Sequence, residues 1–345
     1  MKKHFFLLCL LVGAACASLQ AQITSTQNGD FGSSSTWTGG AVPSSGDDVV
    51  IQHQVNLDGN QTIGHLTINS GATFSANHYT LKVTGITNNG SFQAGTSTVA
   101  GSISASSNIT VSGNISLYRL EVSTPSNWDI INTLNIEGEL FFRQKPNIRA
   151  PGNLTGNVTY DPGATLIYEQ IGNLSSGKEL GDEWRPNRAS GAGAPYHVEV
   201  RSSSGLRAAS GSYGDTYYLQ GDLNKQGRTL LNLANRDLVV SGSLSIDNFN
   251  SGEFSVADLN VGGDFTGDAS QITGKVTLDG SSSQTLDYTQ NNFPDLVIAN
   301  TAGAVQLVAD LALFNGAELE VASGSSLDLS GHRLTLGSNG TTDDL

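Results

Sequence analysis

Two sets of side chains in this chain have the types and spacing to do chemistry. The first is Asp47, Asp48 and Asp58. Neighbouring carboxylates are the material of general acid–base hydrolysis, which needs a proton-donating acid and a second carboxylate several Å away. They also suit calcium, which takes roughly six to eight oxygens from carboxylates and carbonyls. No cofactor is assigned; calcium is the one these three aspartates could hold if adjacent turns of the chain align them. The competing reading makes each a turn residue whose carboxylate accepts nearby backbone N–H groups. The second set is Glu169, Glu183, Trp184, Arg185, Arg188 and Tyr196. Flat aromatic faces bind sugars, and arginines and carboxylates grip their hydroxyl groups through charge-assisted hydrogen bonds. This set is the candidate ligand site. In its competing reading, Trp184 and Tyr196 pin their segment to the body of the protein while Glu183 and Arg185 are solvated ions.

Other chemistries find little support. His53, His65, His78, His197 and His332 are scattered without the paired spacing of a zinc site. Serine is abundant but no Gly-x-Ser-x-Gly is present, so nucleophilic hydrolysis has no motif. No catalytic residue is assigned. The formal net charge of −14 would repel phosphates, which argues against a nucleic-acid partner. Only 14% of residues are charged, so Ser, Thr, Asn and Gly must cover the solvent face.

The elements that position these residues are short strands. From Thr36 to Gly85, apolar pairs two apart recur: Val49/Ile51, Val55/Leu57, Leu66/Ile68 and Leu81/Val83, with Phe74 between. Alternation puts each pair on one face of a strand. Gly, Asn, Asp and Ser separate the pairs, and no strand is long enough for a hairpin of its own, so the strands must stack. Leu-x-Ile and Leu-x-Val triplets continue at Leu120, Leu134, Leu259 and Leu296, with Leu-x-Leu at Leu327, in a degenerate repeat of roughly 20 to 25 residues, within the range of solenoids. Residues 229–246 come closest to a helical stripe, yet Asn235, Gly242 and Val239-Val240 favour strands. The fold expected is all-β: a right-handed single-stranded parallel β-helix with an irregular middle insertion.

Residues 1–21 read as a signal peptide: Lys2 and Lys3, an apolar run from Phe5 to Val12, then small residues. Cleavage is placed after Ala21, with Ala15-Cys16-Ala17 as the second site. Both cysteines, Cys9 and Cys16, lie in this leader; lipidation of Cys16 is an alternative that Gly13 disfavours. The protein is therefore expected to be secreted or at the cell surface, with no transmembrane segment. An N-terminal β-helix segment is expected over 22–140. Residues 141–236 form a second segment with a long loop insertion at about 169–196, read as bulging from the rod. Coils at 237–345 follow, with no cap read after the last, so that end is a candidate stacking edge for a partner.

Trp37, Gly40, Pro43, Gly46, Asp47, Val49, Ile51, Val55, Leu57 and Asp58 occur in the order found in the extracellular domain family named for its eight glycines, which this segment resembles. The chain as a whole resembles the repeat regions of bacterial surface proteins exported by type IX secretion. That likeness implies a parallel β-helix with structural, adhesive or carbohydrate-binding roles, although no sorting domain follows. Gly46-Asp47-Asp48 also resembles a motif of β-helical polygalacturonases. That family's Gly-His-Gly and Arg-x-Lys are missing here, and the turn explains the aspartates. The reading is an exported structural or adhesive surface module without catalytic activity, meeting extracellular polysaccharide or surface proteins. The alternative is a carbohydrate-binding or polysaccharide-active protein, hydrolase or lyase, with its site on the middle insertion.

Overall fold

The computed structural model describes residues 22–101, 108–123, 127–143, 153–171, 177–201, 204–208, 215–227, 229–233, 235–247, 254–268, 272–288, 291–314 and 316–337. Residues 1–21, the stretch read as a signal peptide and holding Cys9 and Cys16, and residues 338–345 lie outside them. Within them the chain is a β-solenoid of about 11 turns, built from parallel stacked strands with almost no helix.

Equivalent apolar residues form continuous columns. One column runs Ile23, Val49, Leu66, Ile86, Val111, Ile130. A longer one runs Leu81, Val99, Leu120, Leu140, Leu166, Val198, Leu223, Leu244, Phe265, Leu286, Leu307. A third runs Tyr217, Leu238, Leu259, Val276, Leu296, Leu319. Stacked strands lie about 4.8 Å apart, so each inward Leu, Ile or Val meets its counterparts above and below. Each such burial contributes roughly 1.5–3 kcal/mol. The triplets at Leu66, Leu120, Leu134, Leu259 and Leu296 all direct both apolar residues into this core. Residues 229–246 contribute three strands, Leu230–Asn232, Asp237–Val240 and Leu244–Ile246.

Two strands exceed the expected length: Ile115–Ser123 and Asn127–Arg143. The second has 17 residues because it turns a corner without breaking. Its first half pairs with Asn108–Ser112 and its second with Ile115–Ser123. Its pairing with Leu154–Tyr160 shifts register between Ile130 and Thr133, where a bulge bends the strand. The ladder therefore passes residue 140, a boundary in the sequence reading, without interruption.

Corners are built by asparagine, glycine and aspartate. Asn77, Asn187, Asn235 and Asn292 take positive φ, a conformation asparagine tolerates. Asn108, Asn127 and Asn153 form a ladder: Asn127 Nδ2 donates to Asn108 Oδ1 at 3.4 Å, and Asn127 Oδ1 accepts the Asn153 N–H at 3.1 Å. At Gly113, φ is +87° and any side chain would strike the carbonyl of Asn88 in the neighbouring coil. Aspartates bridge coils by accepting N–H groups from the next or preceding one. Asp48, Asp222, Asp258, Asp264 and Asp295 bind the N–H groups of His65, Ser243, Lys275, Thr285 and Glu318 in this way.

Candidate functional site

The outward face of the longest ladder carries the densest chemistry. Strands Thr165–Glu169 and His197–Arg201 pair in register, Thr165 beside His197 and Glu169 beside Arg201. The outward column there is Glu121, Phe141, Ile167, Glu199, Asn224, Ser245. Two of these, Phe141 and Ile167, are apolar yet buried. The Arg119 and Arg143 guanidiniums lie 4.8 and 5.2 Å from the Phe141 ring centre, two cation–π contacts on the same ring. Each arginine is paired in turn, Arg119 with Glu139 at 2.6 Å and Arg143 with Glu169 at 2.9 Å. Arg201 closes on Glu199 at 2.6 Å. Glu169 is thus committed to a cross-coil ion pair.

Beyond this patch the same face opens into a groove of about 520 Å³. Thr165, His197, Glu199, Asp222, Asn224 and Ser245 are among its lining residues. His197 Nδ1 accepts the Asp222 N–H at 2.8 Å, which leaves the ring proton on Nε2. Tyr196 packs edge-on against the His197 ring, 4.7 Å between centres, and is half-exposed at the entry to the strand.

The remaining residues of the middle set lie elsewhere. The described part of this stretch, residues 177–196, does not bulge from the rod; it is bonded into the coils around it. Lys178–Glu179 pairs with Leu206 and Arg207. The N–H groups of Arg185, Gly193 and Asn187 bond the carbonyls of Gly193, Val158 and Thr216. Trp184 is 0% exposed, so its indole is a core side chain and offers no face to a ligand. It meets Tyr217 edge-on at 5.7 Å, and its Nε1 donates to the Tyr218 carbonyl at 3.1 Å. Arg185 bonds Asp182 Oδ1 and the Gly156 carbonyl at 2.9 and 2.8 Å. Arg188 is exposed. The solvated ion expected at Glu183 is instead buried, with its carboxylate 2.6 Å from Lys178 Nζ. Of the six, only Glu169 and Tyr196 belong to the outward face or its margin.

The N-terminal aspartates serve three separate backbone partners. Asp47 Oδ2 accepts from the N–H and hydroxyl of Ser44 at 2.8 and 2.7 Å. Asp48 Oδ1 accepts the His65 N–H at 2.7 Å, and Asp58 Oδ1 the Gly32 N–H at 2.9 Å. Among the described residues no group of three or more His, Cys, Asp or Glu side chains is placed to hold a metal ion. His65 sits between Asp48 and Thr87, whose hydroxyl lies 2.9 Å from Nε2. Burial lowers its pKa from the ordinary value, and the Asp48 charge opposes that shift.

Sequence reasoning missed Lys178, Tyr168, His197 and Asp222. A signal existed for Lys178: in a strand, alternation puts it on the same face as Leu180, which is inward. His197 and Asp222 meet only through coil stacking, 25 residues apart, and nothing local announces that.

The architecture places the chain in the class of parallel β-solenoid proteins. A family model described as the G8 domain matches residues 36–134, the first third of the stack. Nothing among the curated proteins or the solved structures matches the chain. Among the described residues no helix is long and apolar enough to cross a membrane.

Proposed function

We propose that the protein is an exported structural and adhesive module of the cell surface or extracellular space, without catalytic activity. The observation that carries this reading is the parallel column running unbroken from Leu81 to Leu307. It makes a stiff body whose outward positions are mostly short polar side chains or ions paired across coils. Such a surface suits a partner engaged through many weak contacts. The G8 match supports an extracellular setting, where that domain is usually found. Microspheres coated with the purified chain test the proposal on polysaccharide films and surface-protein coats. Retention above that of uncoated microspheres is the expected result. Equal retention on every surface sinks the adhesive reading, and new reducing ends released from any polysaccharide sink the non-enzymatic one.

The groove favours carbohydrate as a second reading. Hydroxyl, amide, imidazole and carboxylate groups line it, and a half-exposed tyrosine stands beside its histidine. Sugars are recognised by such a polar floor with an aromatic edge. On this reading Tyr196→Ala and Glu199→Ala each weaken polysaccharide retention about tenfold, the loss of roughly one good hydrogen bond or ring contact. Full retention by both variants removes the groove from consideration.

A further inference from the structure

Lys178 and Glu183 form an unusual buried pair. Their side chains are 2% and 0% exposed, and Nζ lies 2.6 Å from Oε1. The surroundings are aromatic: Nζ is 4.9 Å from the Phe142 ring centre and 5.9 Å from that of Tyr168, and these two rings stack at 5.3 Å. Tyr168 donates its hydroxyl hydrogen to Oε1 at 3.1 Å. Glu183 Oε2 is buried and has no hydrogen-bond partner among the described residues. A fully buried ion pair is costly, because desolvation removes several kcal/mol per ion. One carboxylate oxygen without a partner leaves that cost poorly offset.

We propose that Lys178 and Glu183 condense to an intramolecular amide, closing a side-chain lactam in the folded protein. A proton passes from Nζ to the carboxylate within the pair, leaving an amine facing a carboxylic acid. The Nζ lone pair attacks Cδ and the C–N bond forms. The developing negative charge on Oε1 is held by the Tyr168 hydroxyl, the role of an oxyanion donor. The Cδ–Oε2 bond then breaks, and Oε2 leaves as water with the two hydrogens that Nζ loses. Nothing is oxidised or reduced and no co-reactant is required. Two reactants held in contact react as though at roughly 10⁵–10⁸ M, and the product exchanges two buried charges for one neutral amide. Gly181 lies over Oε2, where any side chain would strike that oxygen at 2.6 Å. Gly181 is itself half-exposed, so only a bare backbone separates the departing water from solvent.

Peptide mapping of the purified full chain under denaturing conditions tests this. Trypsin cuts after lysine only when its amine is free. The expected product is a peptide that runs uncut through Lys178 to Arg188, lighter than its sequence by one water, with fragmentation placing the deficit between Lys178 and Glu183. Cleavage at Lys178 to peptides of full mass overturns the proposal. The Lys178→Met variant should carry full mass over the same stretch, and a deficit that persists in it assigns the dehydration elsewhere and overturns the proposal equally. Tyr168→Phe should lower the cross-linked fraction in freshly purified protein several-fold; an unchanged fraction removes Tyr168 from the reaction.

Discussion

Replacing Trp184 with alanine asks whether the middle stretch is part of the stack or an attachment to it. The side chain is wholly buried, lies edge-on to Tyr217, and donates a hydrogen bond to the Tyr218 carbonyl. Large-to-small truncation of a buried tryptophan costs about 3–5 kcal/mol, a figure that already includes the ring contact and the cavity left behind. In a solenoid this loss is local, because each coil contacts only its neighbours. The amides that should feel it are those of Arg185, Asn187 and Gly193, bonded to Gly193, Thr216 and Val158.

Native-state hydrogen exchange reads these amides one by one. At 1.4 kcal/mol per decade, their exchange should accelerate roughly 100- to 3000-fold in Trp184→Ala. The Leu57 amide, bonded to the Ser75 carbonyl several coils away, should be unchanged. Trp184→Phe keeps most of the buried area and should recover more than half of the lost protection. Unchanged exchange at Arg185 and Gly193 in the alanine variant would refute the reasoning, because a tryptophan that can be deleted without loosening its coil is not core. Uniform acceleration along the whole chain would refute its other half, the locality of the solenoid.

Other perturbations follow from single sites. Because the folded-state pKa of His65 is lowered, the unfolded chain binds the proton more readily. That contribution to stability is present above the ordinary histidine value and is lost as pH falls through it; His65→Gln should melt with a flatter pH dependence between about pH 5 and 7. The Tyr168 hydroxyl is pushed well above its ordinary range by burial and, in chains where Glu183 is still a carboxylate, further by its charge. Its contribution is complete below the unfolded tyrosine value and is lost at higher pH, so ultraviolet titration should show Tyr168 ionising only with unfolding, a step absent from Tyr168→Phe. Asp222→Ala, which deletes the acceptor of the Ser243 N–H on an exposed corner, should cost about 1 kcal/mol in a denaturant melt. Gln284→Leu should cost about 2 kcal/mol or more, since it takes the side-chain amide donor from the Gly263 carbonyl and the acceptor from the Gly280 N–H, while the Val261 carbonyl keeps the Asp279 N–H.

The fold was legible because its signal is local and repeated. Leu66 and Ile68, or Leu259 and Val261, declare an inward face within three residues, and the corners declare themselves by Asn and Gly. What stayed hidden depends on which coil lies above which. One sequence reading gave Trp184 a ligand to hold, and its competitor pinned Trp184 to the body of the protein but made Glu183 an exposed ion, because a charged and aromatic stretch without strand alternation looks like a surface loop. Its true surroundings are Phe142, Tyr168 and Tyr217, contributed by coils before and after it. The groove was hidden for the same reason: Thr165, His197, Asp222 and Ser245 are far apart in sequence and are brought together only by register.

The aspartates show how stacking changes the meaning of composition. In the sequence, Asp47, Asp48 and Asp58 could be read either as calcium ligands or as turn residues. In a parallel solenoid the N–H at the start of each strand needs an acceptor whenever the corner interrupts the ladder. A short side chain ending in a carboxylate reaches it from the adjoining coil. Asp48, Asp222, Asp258, Asp264 and Asp295 do this at five corners, and Asp58 does it for Gly32. Lysine and arginine cannot replace them, because they carry donors and no acceptor. Asparagine can: Asn60, Asn132 and Asn187 accept the N–H groups of Thr80, Gly113 and Thr216 from adjoining coils, so the corners ask for a short side-chain acceptor and these aspartates are accounted for by the stack whatever the protein binds.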